Sequence, residues 1–365
     1  MIRERKLNHI TISLANPVES RVSSGFLDIT PIHRCLPEQS LDEIDLSTPF
    51  FGKKLSAPII IAGMTGGHEK AKKINETLAL VAQELGIAMG VGSQRAALEN
   101  KGLIDTYSIA REAAPDAFLI ANLGAVQFAS SYTLEHAKKA VEMIEADALA
   151  IHLNPLHEAV QPEGDRNFKG CIKAVSRLKG LGVPVIAKET GAGVSREDAV
   201  LLEKAGVAGI DVGGLGGTSF AAVESYRQGA DRELAERFWD WGIPTVASTI
   251  EVLESTRLSV ISTGGVRSGL DVAKALSLGS TAAGMALPVL KEAVKGRDAA
   301  RKMIIRVIEE LRIAMFLMGA GNIEGLRQSS LVITGRTGEW LTARGIDPKK
   351  YANRKIYKLP RHRAG

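Results

Sequence analysis

The sequence predicts an α/β fold, a closed (β/α)8 TIM barrel with N-terminal and C-terminal extensions packed on it, and three observations carry that prediction. Eight short apolar runs rich in β-branched residues recur at 59–62, 87–91, 118–122, 148–153, 185–188, 208–212, 259–263 and 282–285. Each is bounded by turn residues and followed by a segment with amphipathic helix spacing, such as 68–85 or 134–145. The eight units fill about 230 residues with no linker or composition break, which matches a closed barrel better than an open doubly wound sheet. The expectation is one domain over residues 1–365 with a barrel core at about 58–318, on which segments 1–57 and 319–365 pack. One unit is irregular. Residues 219–255 are too long for one crossover helix and should break into two or three pieces at Gly229 and at Gly242-Ile243-Pro244.

Composition narrows the function classes. With 45% hydrophobic and 24% charged residues the chain is neither disordered nor fibrous. Cys35 and Cys171 lie far apart and offer neither a disulfide framework nor a zinc site. The opening MIRERKLNH is charged throughout, unlike a signal peptide, and the longest apolar stretch, near 281–290, is too short to span a membrane, so the expected location is the cytoplasm. Much of the +5 net charge sits in the tail, at Lys349, Lys350, Arg354, Lys355, Lys358, Arg361 and Arg363. With only 5% aromatics, this reads as a solvated or subunit-contacting tail rather than a nucleic-acid surface.

Active sites of such barrels lie at the C-terminal ends of the strands. There the runs end in Met64-Thr65-Gly66-Gly67, Gly92-Ser93-Gln94-Arg95, Asn122-Leu123-Gly124, His152-Leu153-Asn154-Pro155-Leu156-His157-Glu158, Lys188-Glu189, Gly213 to Thr218, Gly264-Gly265-Val266-Arg267 and Gly284-Met285-Ala286-Leu287. Three glycine clusters on one face point to a phosphate grip built from backbone N–H groups, although any single glycine would be explained by a tight turn. Lys188 ends a buried strand, where an ammonium needs a partner. It could meet the N1/O2 edge of a flavin, pair with Glu189 or Asp211, or form a Schiff base. His152, Asn154, His157 and Glu158 crowd a strand end, a composition suited to proton transfer and to a hard metal, with Glu158 the candidate Mg2+ ligand. Arg3, Arg5, Lys6 and His9, together with Ser93, Gln94 and Arg95, could clamp a diphosphate.

These residues carry a resemblance. The chain is similar to the type 2, FMN-dependent isopentenyl-diphosphate isomerases in Arg5-Lys6 and His9, Leu36-Pro37-Glu38, Met64-Thr65-Gly66-Gly67, Ser93-Gln94-Arg95, His152-Leu153-Asn154-Pro155, Pro162-Glu163-Gly164-Asp165, Lys188-Glu189, Gly216-Gly217-Thr218, Gly264-Gly265-Val266-Arg267 and Thr334-Gly335. The resemblance implies conversion of isopentenyl diphosphate to dimethylallyl diphosphate over FMN reduced by NADPH, with Mg2+ on the diphosphate and no net redox change. It places Met64, Thr65, Gly66, Ser93, Asn122, Lys188 and Thr218 on FMN, with Gly264, Gly265, Val266, Ala286 and Leu287 around its phosphate. It places Arg5, Lys6, His9, Ser93, Gln94, Arg95 and His157 on the substrate, and Glu158 on Mg2+. His157, His152 and Asn154 are the candidates for catalysis. It further implies a homotetramer or homo-octamer and no nucleic-acid or membrane partner. Two departures stand out: His157-Glu158 occupies the place of a usual Gln-Glu, and Gly213 that of a common serine. A hydroxy-acid oxidase would need a His-Gly-x-Arg motif late in the barrel, but no histidine occurs between 158 and 361. An IMP dehydrogenase would need a cysteine between Gly213 and Thr218, where there is none.

Overall fold

The computed structural model describes residues 2–354, with side chains from Lys6 onward; Lys355, Lys358, Arg361, Arg363 and the side chains of Arg3 and Arg5 lie outside the described residues. Eight parallel strands close into a barrel: β1 (Ile59–Ile61), β2 (Ala88–Gly90), β3 (Leu119–Gly124), β4 (Ala148–Leu153), β5 (Val185–Glu189), β6 (Gly209–Asp211), β7 (Ser259–Thr263) and β8 (Ala282–Met285). Neighbours in the chain are neighbours in the barrel, and β8 returns to β1 with Gly284 opposite Ile60. All eight coincide with the runs expected from sequence, to within two residues at each end.

Side chains alternate between the barrel lumen and the helical layer. Ile60, Ala88, Ile120, Ala148, Ala150, Ile186, Ile261 and Ala282 fill the lumen as a separate apolar cluster. Phe50, Leu55 and Phe118 join that cluster, because a hairpin (Thr48–Phe50 paired with Lys53–Leu55) plugs the N-terminal end. The two-residue turn Phe51-Gly52 takes positive φ at both positions, the twist such hairpins need. The Phe50 and Phe118 rings meet edge to face at 4.9 Å. With one end stoppered by apolar side chains, the polar strand ends at the other are the accessible mouth.

Six helices matter below: α1 (Ile2–Ala15), α2 (Pro155–Val160), α3 (Phe220–Ser225), α4 (Arg232–Arg237), α5 (Thr245–Ser255) and α6 (Gly335–Ala343). The irregular segment 219–255 resolves into α3, α4 and α5, with Gly229 and Gly242 at positive φ between them. Proline at the first position of α2 presets its φ and gives up no bonded N–H, so the chain turns from β4 straight into a helix at the mouth. Both extensions fasten to the barrel and to each other. Ile29–Pro31 pairs antiparallel with Leu331–Ile333, and Asp28 accepts from the N–H and Oγ1 of Thr337. Buried Glu251 on α5 accepts from Arg344 Nε, Trp340 Nε1 and the N–H of Arg196 at 2.9–3.0 Å, which docks α6. No described helix is long and apolar enough to cross a membrane.

Candidate active site

A cavity of about 280 Å3 opens at the C-terminal ends of the strands. At its floor, alternation replaces the apolar filling of β3, β4, β5 and β7 with Asn122, His152, Lys188 and Thr263, joined by Asp211 of β6. His152 Nδ1 lies 2.8 Å from Asn122 Oδ1. Lys188 Nζ donates to Asp211 Oδ2 at 2.7 Å. Thr263 Oγ1 donates to Asp211 Oδ1 and accepts from the N–H of Gly213. Of the three roles weighed for Lys188, the structure therefore shows the ion pair with Asp211. The pair leaves the lysine lining the cavity, its ammonium held against the floor.

The rim is glycine. Gly264 and Gly265 have φ of +107° and +75°. A Cβ on Gly264 would lie 2.1 Å from the carbonyl oxygen of Gly214, and one on Gly265 would lie 2.5 Å from that of Gly216. The missing side chains thus let the loops after β6 and β7 lie backbone on backbone, while Gly213, Gly214, Gly217, Thr218, Val266, Ala286 and Leu287 face the cavity beside them. Gly213 has φ +45° and its absent Cβ would meet the Glu189 carbonyl at 2.0 Å, so a serine could not take this conformation here.

Beneath that rim the Glu189 side chain is buried and accepts from the N–H groups of Gly191, Ala192 and Gly193 at 2.5–3.1 Å. Burial raises its carboxyl to about 7, against the opposing pull of these donors.

Helix α1 roofs the opposite side. Lys6 Nζ donates to the carbonyl of Ser93 and to Tyr107 Oη, both at 2.5 Å. His9 Nε2 and His157 Nε2 converge on one oxygen, Oε1 of Glu224, at 2.9 and 3.0 Å. Arg227 Nη1 donates to the same oxygen at 3.2 Å and lies 2.9 Å from Oε2, and Nη2 pairs with Glu163. Phe220 stacks on His157 with centroids 4.4 Å apart. Burial pushes the Glu224 carboxyl up, but the hydrogen bonds from His157 and His9 outweigh it and hold the group far below the usual carboxylate range.

Beside this cluster, Glu158 accepts from Asn154 Nδ2 at 2.9 Å, Gln161 Nε2 at 2.6 Å and the N–H of Asp165 at 2.7 Å. Arg95 lines the cavity while donating to Glu99 and Asp165 at 2.8 and 3.0 Å.

Of the residues singled out from sequence, Lys6, His9, Met64, Thr65, Ser93, Arg95, Asn122, His152, Asn154, His157, Glu158, Lys188, Thr218, Gly264, Gly265, Val266, Ala286 and Leu287 share this cavity. Gln94 and Gly66 do not. The Gln94 amide is fully buried between strand and helix, donating to the Ala140 carbonyl and accepting from the N–H of Asn122. Gly66 packs on the Tyr107 ring, where a Cβ would lie 2.0 Å away. The Arg5 side chain lies outside the described residues. Sequence reasoning missed Glu224, Phe220, Tyr107 and Gln161. Glu224 sits in the irregular segment, 67 residues from His157, with no periodic signal to single it out.

Fold and site define a flavin-type α/β barrel, and residues 127–333 match the FMN-dependent dehydrogenase family. Solved structures of a lactate oxidase from Pediococcus acidilactici (TM-score 0.62, 19% identity, 92% of this chain and 94% of that one) and of a flavocytochrome b2 with benzoylformate (TM-score 0.65, 20% identity, 90% and 84%) share the fold. Curated proteins named isopentenyl-diphosphate delta-isomerase are far closer in sequence. That of Methanothermobacter thermautotrophicus is 52% identical over 97% of this chain and all of its own length. That of Thermococcus kodakarensis is 53% identical over 96% and 97%. The chain belongs to the isopentenyl-diphosphate delta-isomerase family.

The residues present fit FMN. Thr65 Oγ1 is buried at the cavity with no hydrogen-bond partner, an orphan that a ligand would satisfy, and the glycine rim offers backbone where a phosphate would dock. They also fit Mg2+. Glu158 is an oxygen donor, and the acceptor oxygens of its two amide partners, Asn154 Oδ1 and Gln161 Oε1, are buried without a partner.

Proposed function

We propose that this chain isomerises isopentenyl diphosphate to dimethylallyl diphosphate by adding one proton and removing another, with FMN reduced by NADPH in the floor of the cavity and Mg2+ on the diphosphate. Near-full-length kinship with isopentenyl-diphosphate delta-isomerases carries the assignment of the reaction. The observation that carries the division of labour is that a flavin-type floor and a wall of two imidazoles on one carboxylate face the same cavity. When bound, reduced FMN supplies an electron-rich ring that stabilises positive charge developing on the alkene.

The chain's own residues do the rest. Asp211 holds the Lys188 ammonium at the floor, ready to neutralise negative charge on a ring above it. Thr65, Ser93, Asn122 and Thr218 offer hydroxyls and an amide to the same ring and its side chain, and the rim from Gly264 to Val266 with Ala286-Leu287 receives the phosphate. Lys6, Arg95 and Arg5 bind the diphosphate, with Glu158, Asn154 and Gln161 holding Mg2+ beside it. Fixing both ends of the substrate makes proton transfer effectively unimolecular. His157 keeps a proton at Nε2 against Glu224, which its low carboxyl pKa keeps anionic and able to stabilise an imidazolium. His152 and Asn154 position the relay from β4. We take residues 1–365 as one functional unit, located in the cytoplasm and assembling as a tetramer or octamer.

The test is anaerobic incubation of isopentenyl diphosphate with the protein, FMN, NADPH and Mg2+. Dimethylallyl diphosphate is expected in large excess over NADPH oxidised. Product in step with NADPH consumption, or no product, would overturn the reading.

A further inference from the structure

We infer that His9, His157 and Glu224 form a site for a borderline divalent transition-metal ion of the Zn2+ class, separate from the Mg2+ at Glu158. The three ligand atoms, two imidazole Nε2 and one carboxylate oxygen, lie within 4.8 Å of one another and come from three elements, α1, α2 and α3. Two imidazoles and a carboxylate suit Zn2+, whereas Mg2+ prefers oxygen ligands throughout. The spacing suits coordination too. The imidazoles stand 2.9 and 3.0 Å from Oε1, so a small outward shift of each opens room for an ion at the usual bond length of about 2.0–2.2 Å.

The supporting contacts are those a metal site needs. Arg227 Nη1 donates to Oε1 at 3.2 Å and lies 2.9 Å from Oε2, which anchors the carboxylate beside the imidazoles, while Oε2 is buried with no hydrogen-bond partner. Phe220 stacks on His157 and meets His9 edge-on at 6.1 Å, which fixes both rings. Because His9 and His157 line the cavity, the fourth coordination position faces it, an open site for an oxygen donor. Binding needs the imidazole proton to move from Nε2 to Nδ1 on each ring, or to leave if a ring is charged. Metal coordination and proton relay use the same nitrogen of His157 and exclude one another. On the isomerase reading the ion is therefore an inhibitor.

The site depends on the histidine that stands where the family usually has glutamine. The experiment is titration of FMN-loaded protein with Zn2+ by calorimetry and with Co2+ by visible absorption, in excess Mg2+ so that oxygen-rich sites are filled. One equivalent is expected to bind, with the d–d bands of low-coordinate Co2+. H157Q, which keeps a hydrogen-bonding side chain, and H9Q should each weaken binding by at least tenfold while circular dichroism stays unchanged. No saturable binding in the wild type, or equal binding in the two folded variants, would overturn the inference. Neither outcome depends on turnover, so failure here is distinct from failure of the isomerase assignment.

Discussion

At the scale of single residues, the chemistry rests on which polar groups are satisfied by the protein and which are left for a ligand. His157 is tied to Glu224 and stacked on Phe220, so its ring is oriented before substrate arrives. H157A should lower kcat by roughly 10²–10⁴-fold with little change in KM, the signature of a lost proton relay; steady-state kinetics decides it. Glu189 gives a stability prediction. Its carboxyl, ordinarily near 4.5, is raised to about 7 in the fold, so the folded state holds a proton that the unfolded chain releases. Its contribution to stability is full below about pH 4.5 and is lost as pH rises to 7. Chemical denaturation across that window should show a falling slope that is flatter in E189Q. The same scale shows where the sequence misled. A polar residue just after a strand is expected to face substrate, yet the Gln94 amide bonds to the backbone of Asn122 and Ala140. Alternation says which face a strand residue takes, but not the direction of a side chain in the turn that follows.

At the scale of elements, the strands were the legible part. Their apolar runs repeat, and period-two alternation carries Asn122, His152, Lys188 and Thr263 from the apolar filling to the polar floor. The glycine pairs were legible as a phosphate rim. Their backbone-on-backbone packing was not, because it joins loops some fifty residues apart. That packing yields a prediction. G265A places a Cβ at φ +75° and 2.5 Å from the Gly216 carbonyl. It should cost about 1–3 kcal/mol in stability and weaken FMN binding, seen as a lower Tm and a right-shifted flavin fluorescence titration. The pairing of α1 and α2 through Glu224 was illegible for another reason. Segment 219–255 has no regular period, and nothing local marks Glu224 as the residue that will meet two histidines.

At the scale of the whole molecule, the extensions join the barrel through buried apolar residues such as Phe26, Ile29, Leu331 and Leu341, and a few buried polar contacts fix where they sit. Glu251 is the centre of the C-terminal fastening, held ionised by Arg344, Trp340 and the backbone of Arg196 against the cost of burial. E251A should destabilise the protein by roughly 3–5 kcal/mol by stranding those donors, and should expose the α6 region to limited proteolysis before the barrel is cut. Fold class followed from sequence because it depends on repeated local pattern. The fastening did not, since each contact joins residues distant in the chain.

The roof formed by α1 has a consequence for biosynthesis. It is synthesised before the residues it binds: Lys6 meets Ser93 and Tyr107, and His9 waits 215 residues for the Glu224 carboxylate. Translation must pass α3 before His9 can close its contact, so the cover over the mouth is completed only after the first six barrel strands have been made.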